Sequence, residues 1–162
     1  MTEPNWYIVY TKPRFELKVA NHLTRKQIKN YCPLHIVENQ LIDSRKVILA
    51  PLFTSCVFVS IVESEISLVL NTPGVINYLY WLNKPAVVPT EEMEPMILFL
   101  KDHSNTRLKK SLVHYGSATA NNNCPDPVTD GDQVPWQLDM PSLGYSIIAK
   151  SGRESYAKEI NT

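Results

Sequence analysis

Thiols and imidazoles are the side chains of this chain best suited to nucleophilic catalysis, and their placement argues against that use. A thiolate nucleophile needs an imidazole within hydrogen-bond reach. Cys32 with His35, and Cys56 with His22, are the pairs that could be proposed, yet neither sits in a supporting motif. Cys56 lies within SCVFVS, where a small buried apolar residue is the usual occupant, so a structural cysteine is the expectation there. The four histidines, His22, His35, His103 and His114, are far apart and lack HExxH or comparable ligand spacing, so no metal site is expected. Five glycines form no phosphate-cradling loop. The residues therefore predict a protein that is not an enzyme and carries no cofactor.

A binding chemistry is better represented. The stretch WYIVYTKPRFELKVANHLTRKQIKNYCP gathers six basic residues and one acid between Lys12 and Lys29. Trp6 to Tyr10 alternates large and β-branched residues and reads as a buried strand, and Pro13 reads as the opening of a helix. On that helix Arg14, Lys18, His22, Arg25 and Lys29 fall within about 80° of one another, with Leu17, Val19, Ala20, Leu23 and Ile28 on the other side. Such a stripe is either a solvated face or a site for a polyanion. Sixteen Lys and Arg against sixteen Asp and Glu leave no net charge, so any polyanion contact is local.

The elements that position these residues follow from hydrophobic periodicity. Tyr31 to Val37 reads as a strand, Asp43-Ser44-Arg45 as a hairpin tip, and Val47 to Leu49 as the returning strand. Thr54 to Val62 has the near-continuous apolar character of a central strand. A short helix over Ser64 to Leu70 ends at Thr72-Pro73-Gly74, and Val75 to Leu82 forms another strand. Thr90 is placed to cap a third helix whose apolar stripe is Met93, Met96, Ile97 and Leu100. Together these predict an α+β sandwich of about 100 residues. Residues 104–115 read as a linker. Residues 116–162 are dense in Asn, Pro, Asp and Gly, and Leu143 to Ser151 is their one convincing strand, which predicts a very small all-β module. Three widely spaced cysteines without CxxC, a polar start MTEPN and no run of ~18 to 20 apolar residues point to a reduced, cytoplasmic setting.

The order of elements, together with WYIVYTKPRFE, APLFTSCVFVSI, NTPGVINYLYW and KPAVVPTEEME, resembles the N-terminal domain of NusG-type transcription elongation factors over roughly residues 5 to 101. Within that family the likeness is to the specialised RfaH and UpxY antiterminators of surface (capsular) polysaccharide operons. The resemblance implies a NusG N-terminal-domain sandwich over 1–103, an antiparallel sheet flanked by helices, followed by a linker over 104–115 and a degenerate KOW-like module over 116–162. It implies a factor that binds the clamp helices of the RNA polymerase β′ subunit and suppresses pausing and termination. The matching docking positions are Phe53, Cys56, Phe58 and Tyr78, in one apolar depression. Ser67, within Glu65-Ile66-Ser67, stands where RfaH has the His-Thr-Thr stretch that touches the β gate loop. Non-template single-stranded DNA in the transcription bubble would meet Lys12, Arg14, Lys18, His22, Arg25 and Lys29. The KOW-like module implies a ribosomal protein or Rho as a further partner. MPSLGYSIIAK looks like the last part of the UpxY version, while Gly131-Asp132-Gln133-Val134 offers a second register for a KOW strand. A general elongation factor and a small RNA-binding or ribosome-associated domain are the alternatives.

Overall fold

A computed structural model describes residues 3–38, 47–110 and 136–149. The organising element is β1 (Asn5–Thr11), whose alternating side chains supply both sides of a sheet. Along one edge β1 pairs antiparallel with β5 (Cys56–Ile61), from Asn5 opposite Ile61 to Tyr10 opposite Cys56. Strand β2 (Lys29–Tyr31) extends the sheet beyond β5. The other edge of β1 is shared: β6 (Val75–Tyr78) pairs with Val9 to Thr11, and β9 (Val87–Val88) with Trp6 and Tyr7. Between β6 and β9 the chain leaves the sheet as the hairpin β7 (Tyr80–Trp81) and β8 (Lys84–Pro85). The strand expected over Val75 to Leu82 is thus divided at Leu79, whose N–H is turned to the carbonyl of Ile8 at 2.8 Å.

One face of the sheet buries Tyr7, Val9, Val57, Val59 and Tyr78 beneath α1 (Glu16–Arg25) and α2 (Ile66–Leu70), with Val19, Leu23 and Val69 filling the layer. Gly74, at φ +94°, lets the loop of the NTPG motif close on α1: a Cβ there would stand 2.8 Å from Val19 Cγ2. The other face buries Trp6, Ile8 and Phe58 against Met93 and Met96 of α3 (Thr90–Asp102). Pro89 occupies the cap position of α3 and Thr90 is its first residue, without the side-chain cap bond expected of it.

The first helix begins later than Pro13 implies. Arg14 adopts φ +64° and the Phe15 N–H returns to the Lys12 carbonyl at 3.0 Å, so Lys12 to Phe15 is a turn. What sets the start is Glu16, buried, whose carboxylate accepts the Ser55 N–H at 2.6 Å and ties α1 to the turn before β5. Gln27, at φ +60°, follows the helix end, and Lys29 belongs to β2. The strand expected over Tyr31 to Val37 is also two, β2 and β3 (Leu34–Glu38), because Pro33 cannot donate to a ladder. Strand β3 pairs with β4 (Val47–Pro51) as expected of a hairpin, although its tip at Asp43-Ser44-Arg45 lies outside the described residues.

The stretch expected to be a linker contains a strand. Strands β10 (Thr106–Lys110), β11 (Trp136–Met140) and β12 (Tyr145–Ala149) form a three-stranded antiparallel sheet with β12 in the centre. Met140 and Ile147 bury in the same cluster as Trp6, Ile8 and Phe58, so this sheet covers the face that α3 leaves open. Most of residues 116–162, with both candidate KOW registers except Met140 to Ala149, lies outside the described residues.

Tyr78 is the position where this packing is tested most directly. It is 1% exposed, meets Tyr7 edge-to-face at 6.0 Å, and its hydroxyl donates to the Ile66 carbonyl at 3.2 Å. Tyr78→Ala is expected to cost ~3–5 kcal/mol, read as a fall in the urea midpoint at unchanged slope.

Candidate functional site

Two surfaces gather the residues singled out by the sequence. The first is apolar. In the β1–β5 register Ile8 stands opposite Phe58 and Tyr10 opposite Cys56, which places these side chains on the face away from α1. Phe53, in the turn before β5, meets Phe58 edge-to-face at 5.4 Å, and Tyr145 of β12 meets Phe53 in the same geometry at 6.2 Å. Between the sheet and the C-terminal strands lies a cavity of about 450 Å³, lined by Ile8, Tyr10, Phe53, Cys56, Leu108 and Tyr145 among others. Phe58 is 1% and Phe53 9% exposed, since the C-terminal strands sit over them. A polar latch holds this cover: the Glu92 carboxylate of α3 accepts the Ser142 hydroxyl at 2.6 Å and its N–H at 3.2 Å.

The structure brings Phe53, Cys56 and Phe58 together and separates Tyr78 from them. Tyr78 pairs with Val9, so its ring enters the layer beneath α1 and α2, and the expected depression of four residues does not form. Ser67 is exposed on α2, on that same helical side. The contributions of Glu92, Ser142 and Tyr145 come from distant segments, and no local spacing announces them.

The second surface is basic, and the structure divides it. Lys18 and His22, four apart, and Arg25, three further on, remain a stripe on α1. Lys12 and Arg14 stand in the turn before it, and both are exposed. Lys29 leaves the stripe. Opposite Ser60, which is itself opposite Trp6, it lies on the other face of the sheet with its ammonium 5.3 Å from the Trp6 ring. Lys26 is used internally, donating to the Leu68 carbonyl at 3.2 Å and the Thr72 hydroxyl at 2.9 Å. Lys18 lies 4.7 Å from the Phe15 ring. The local excess of cations is therefore partly structural, with Lys12, Arg14, His22 and Arg25 carrying no side-chain hydrogen bond among the described residues.

The thiols are in a setting opposite to that of a nucleophile. Burial first, and the Glu16 carboxylate second, push the Cys32 and Cys56 thiols up to about 11. His35 donates its ring N–H to the Thr106 carbonyl at 3.0 Å.

Residues 4–97 match the family described as transcription termination factor NusG. Comparison with curated proteins finds no match. Among solved structures, one described as "Domain interaction in Thermotoga maritima NusG" aligns at 20% identity and a TM-score of 0.41, covering 74% of this chain and 68% of that one.

The thiol setting is measurable by alkylation in a Cys124→Ser background. At pH 8 iodoacetamide is expected to react with Cys32 and Cys56 at least tenfold more slowly than with an unperturbed cysteine of pKa ~8.5. Because the thiolate fraction of a raised group grows with pH through about 11, the rate should still be climbing at pH 10; a plateau near pH 9 would contradict it.

Proposed function

The chain belongs to the NusG family of non-enzymatic transcription factors, and from that premise we propose that it is an elongation and antitermination factor that docks on RNA polymerase and suppresses pausing and termination at surface polysaccharide operons. The observation that carries this reading is the extent of the family match: residues 4–97 run from just before β1 into α3 and so include both the apolar face and the α1 stripe. The specialised branch, with RfaH and UpxY, rests on the resemblance of the motifs and on MPSLGYSIIAK in the C-terminal strands.

Docking on the β′ clamp helices is assigned to Phe53, Cys56 and Phe58, with Ile8 and Tyr10 beside them. Tyr78 is left out, because its ring is committed to the opposite layer. Ser67, exposed on α2, is the candidate for the β gate loop. Non-template DNA is assigned to Lys12, Arg14, Lys18, His22 and Arg25, whose cations can follow phosphates while His22 packs on an unstacked base. The C-terminal strands are read as part of a KOW-like module, with a ribosomal protein or Rho as its partner.

Polymerase and the C-terminal strands cannot both hold Phe53 and Phe58, so docking at this face requires Tyr145 and its neighbours to leave. Glu92→Gln with Ser142→Ala removes the charged acceptor and a donor of the latch, an effect of ~1 kcal/mol. Retention of core RNA polymerase on the immobilised variant is expected to rise up to about fivefold over the parent chain. Failure of both chains to retain polymerase would remove the docking assignment.

The DNA contact has its own measure. Each cation on a single-strand phosphate contributes ~0.7 to the slope of log affinity against log salt. Lys18→Gln with Arg25→Gln should flatten that slope by ~1.4 in an elongation complex, whereas Lys29→Gln, on the other face, should leave it unchanged.

A further inference from the structure

None of the residues assigned to those surfaces belongs to the hairpin β7–β8, whose residues from Tyr80 to Lys84 are exposed. Of the three tryptophans, Trp6 is buried beside Lys29 and Trp136 lies 6.0 Å from the His103 ring. Trp81 is 68% exposed and has no aromatic or cation partner among the described residues. Its cross-strand neighbour is Lys84, so ring and ammonium belong to one side of the ribbon, while Tyr80 and Pro85 occupy the other. The two-residue turn is formed by Leu82 and Asn83, both with positive φ, of +49° and +62°. That pairing suits a tight hairpin, yet the left-handed region is cheap for Asn and costly for Leu, and Leu82 is 84% exposed. A strained, solvent-facing leucine beside an unpartnered indole points to a surface kept for a ligand. No Asp or Glu occurs between Ile66 and Thr90, so the hairpin and the strands at its base carry a cation and no anion.

We propose that the tip of this hairpin binds a single-stranded nucleic acid, with Trp81 stacking on an unpaired base, Lys84 meeting the adjoining phosphate, and Leu82 wedged against the next base. A flat ring with a cation on the same side fits a base and its phosphate, because every base has a π-face and every step a charge. Apolar residues spread over both sides of a ribbon fit less well to the contiguous desolvated centre of a protein interface. The proposal does not rest on polymerase docking: the hairpin can bind a strand whether or not the apolar face takes a partner.

The test uses the full chain carrying Trp136→Phe, so that Trp81 is the exposed indole, titrated with a short oligothymidylate. Saturable quenching is expected. Trp81→Ala should weaken binding about fivefold or more, measured by anisotropy of the labelled oligonucleotide, and Trp81→Phe should retain most of it. Lys84→Gln should flatten the salt slope by ~0.7. The α1 cations are intact in all these variants, so a loss reports on the hairpin alone, and an unchanged thermal melt excludes misfolding. Absence of quenching, or equal affinity of the parent and Trp81→Ala, would overturn the proposal. Loss of polymerase retention in Trp81→Ala with oligonucleotide binding unchanged would also overturn it, and would assign the tip to a protein.

Discussion

Both surfaces of this protein depend on the register between β1 and β5. With Ile8 opposite Phe58 and Val9 opposite Val57, the two strands agree on which side chains go to α1 and which to α3 and the C-terminal strands. A slip of one residue would exchange the two sets, sending Phe58 under α1 and opening the valines to the other layer. Nothing in a strand pair alone forbids such a slip. The buried Glu16 carboxylate helps to forbid it, because Glu16 opens α1 one turn after β1 and its carboxylate holds the Ser55 N–H immediately before β5. Ser55 itself takes φ +57°, and the Thr11 N–H reaches its carbonyl at 2.9 Å, so the end of β1 and the start of β5 are joined on both sides of the strained residue.

The same constraint governs how the cations are distributed. A basic run on a helix reads as one stripe only while the helix lasts. Once α1 is held to Glu16–Arg25, the positions outside it follow other rules: Arg14 sits in a left-handed turn, and Lys29 alternates with the strand, to the far face. Lys26, in the helix cap, is drawn to the carbonyl of Leu68, where a cation meets the end of α2. Local charge is therefore an upper bound on what a polyanion can meet.

What was legible in the sequence was the part encoded by neighbours along the chain. The apolar runs gave β1 and β5, the breaker Thr72-Pro73-Gly74 ended α2, and Met93 with Met96 marked the buried side of α3. Positive φ at Arg14, Gln27 and Leu82 was not legible, because none of these residue types asks for it; the tight connections between the elements they join require it. The face taken by Tyr78 was hidden for a different reason. Its parity is set by pairing with Val9 across the sheet, in a ladder whose register shifts between Tyr10 and Thr11, and alternation within one strand says nothing about its phase relative to another. For the apolar face, Phe53, Cys56 and Phe58 lie in one segment whose pattern alone reads as core, and only the family resemblance marks them as docking positions, whereas Glu92, Ser142 and Tyr145 are brought there by long-range pairing alone.

The C-terminal sheet shows why that cover has consequences for the whole molecule. Leu108, Leu138, Met140 and Ile147 point from its three strands toward the β1–β5 face, while Arg107, Lys109, Gln137 and Asp139 occupy the alternate positions. On the alternate side the buried Ser146 hydroxyl and the Gln137 amide donate to the Asp139 carboxylate at 2.6 and 2.7 Å, and these bonds hold its pKa below the ordinary carboxylate value. Among the described residues, then, the sheet has one apolar side, and that side is completed by Phe53, Phe58 and Trp6 rather than by strands of its own. Exposing the apolar face of such a sheet to water forfeits the burial that stabilises it. Among the described residues, uncovering Phe53 and Phe58 consequently also uncovers Met140 and Ile147 of the C-terminal strands. A partner that takes the apolar face must supply more than the contact it replaces, unless the released strands find a second surface to bury against.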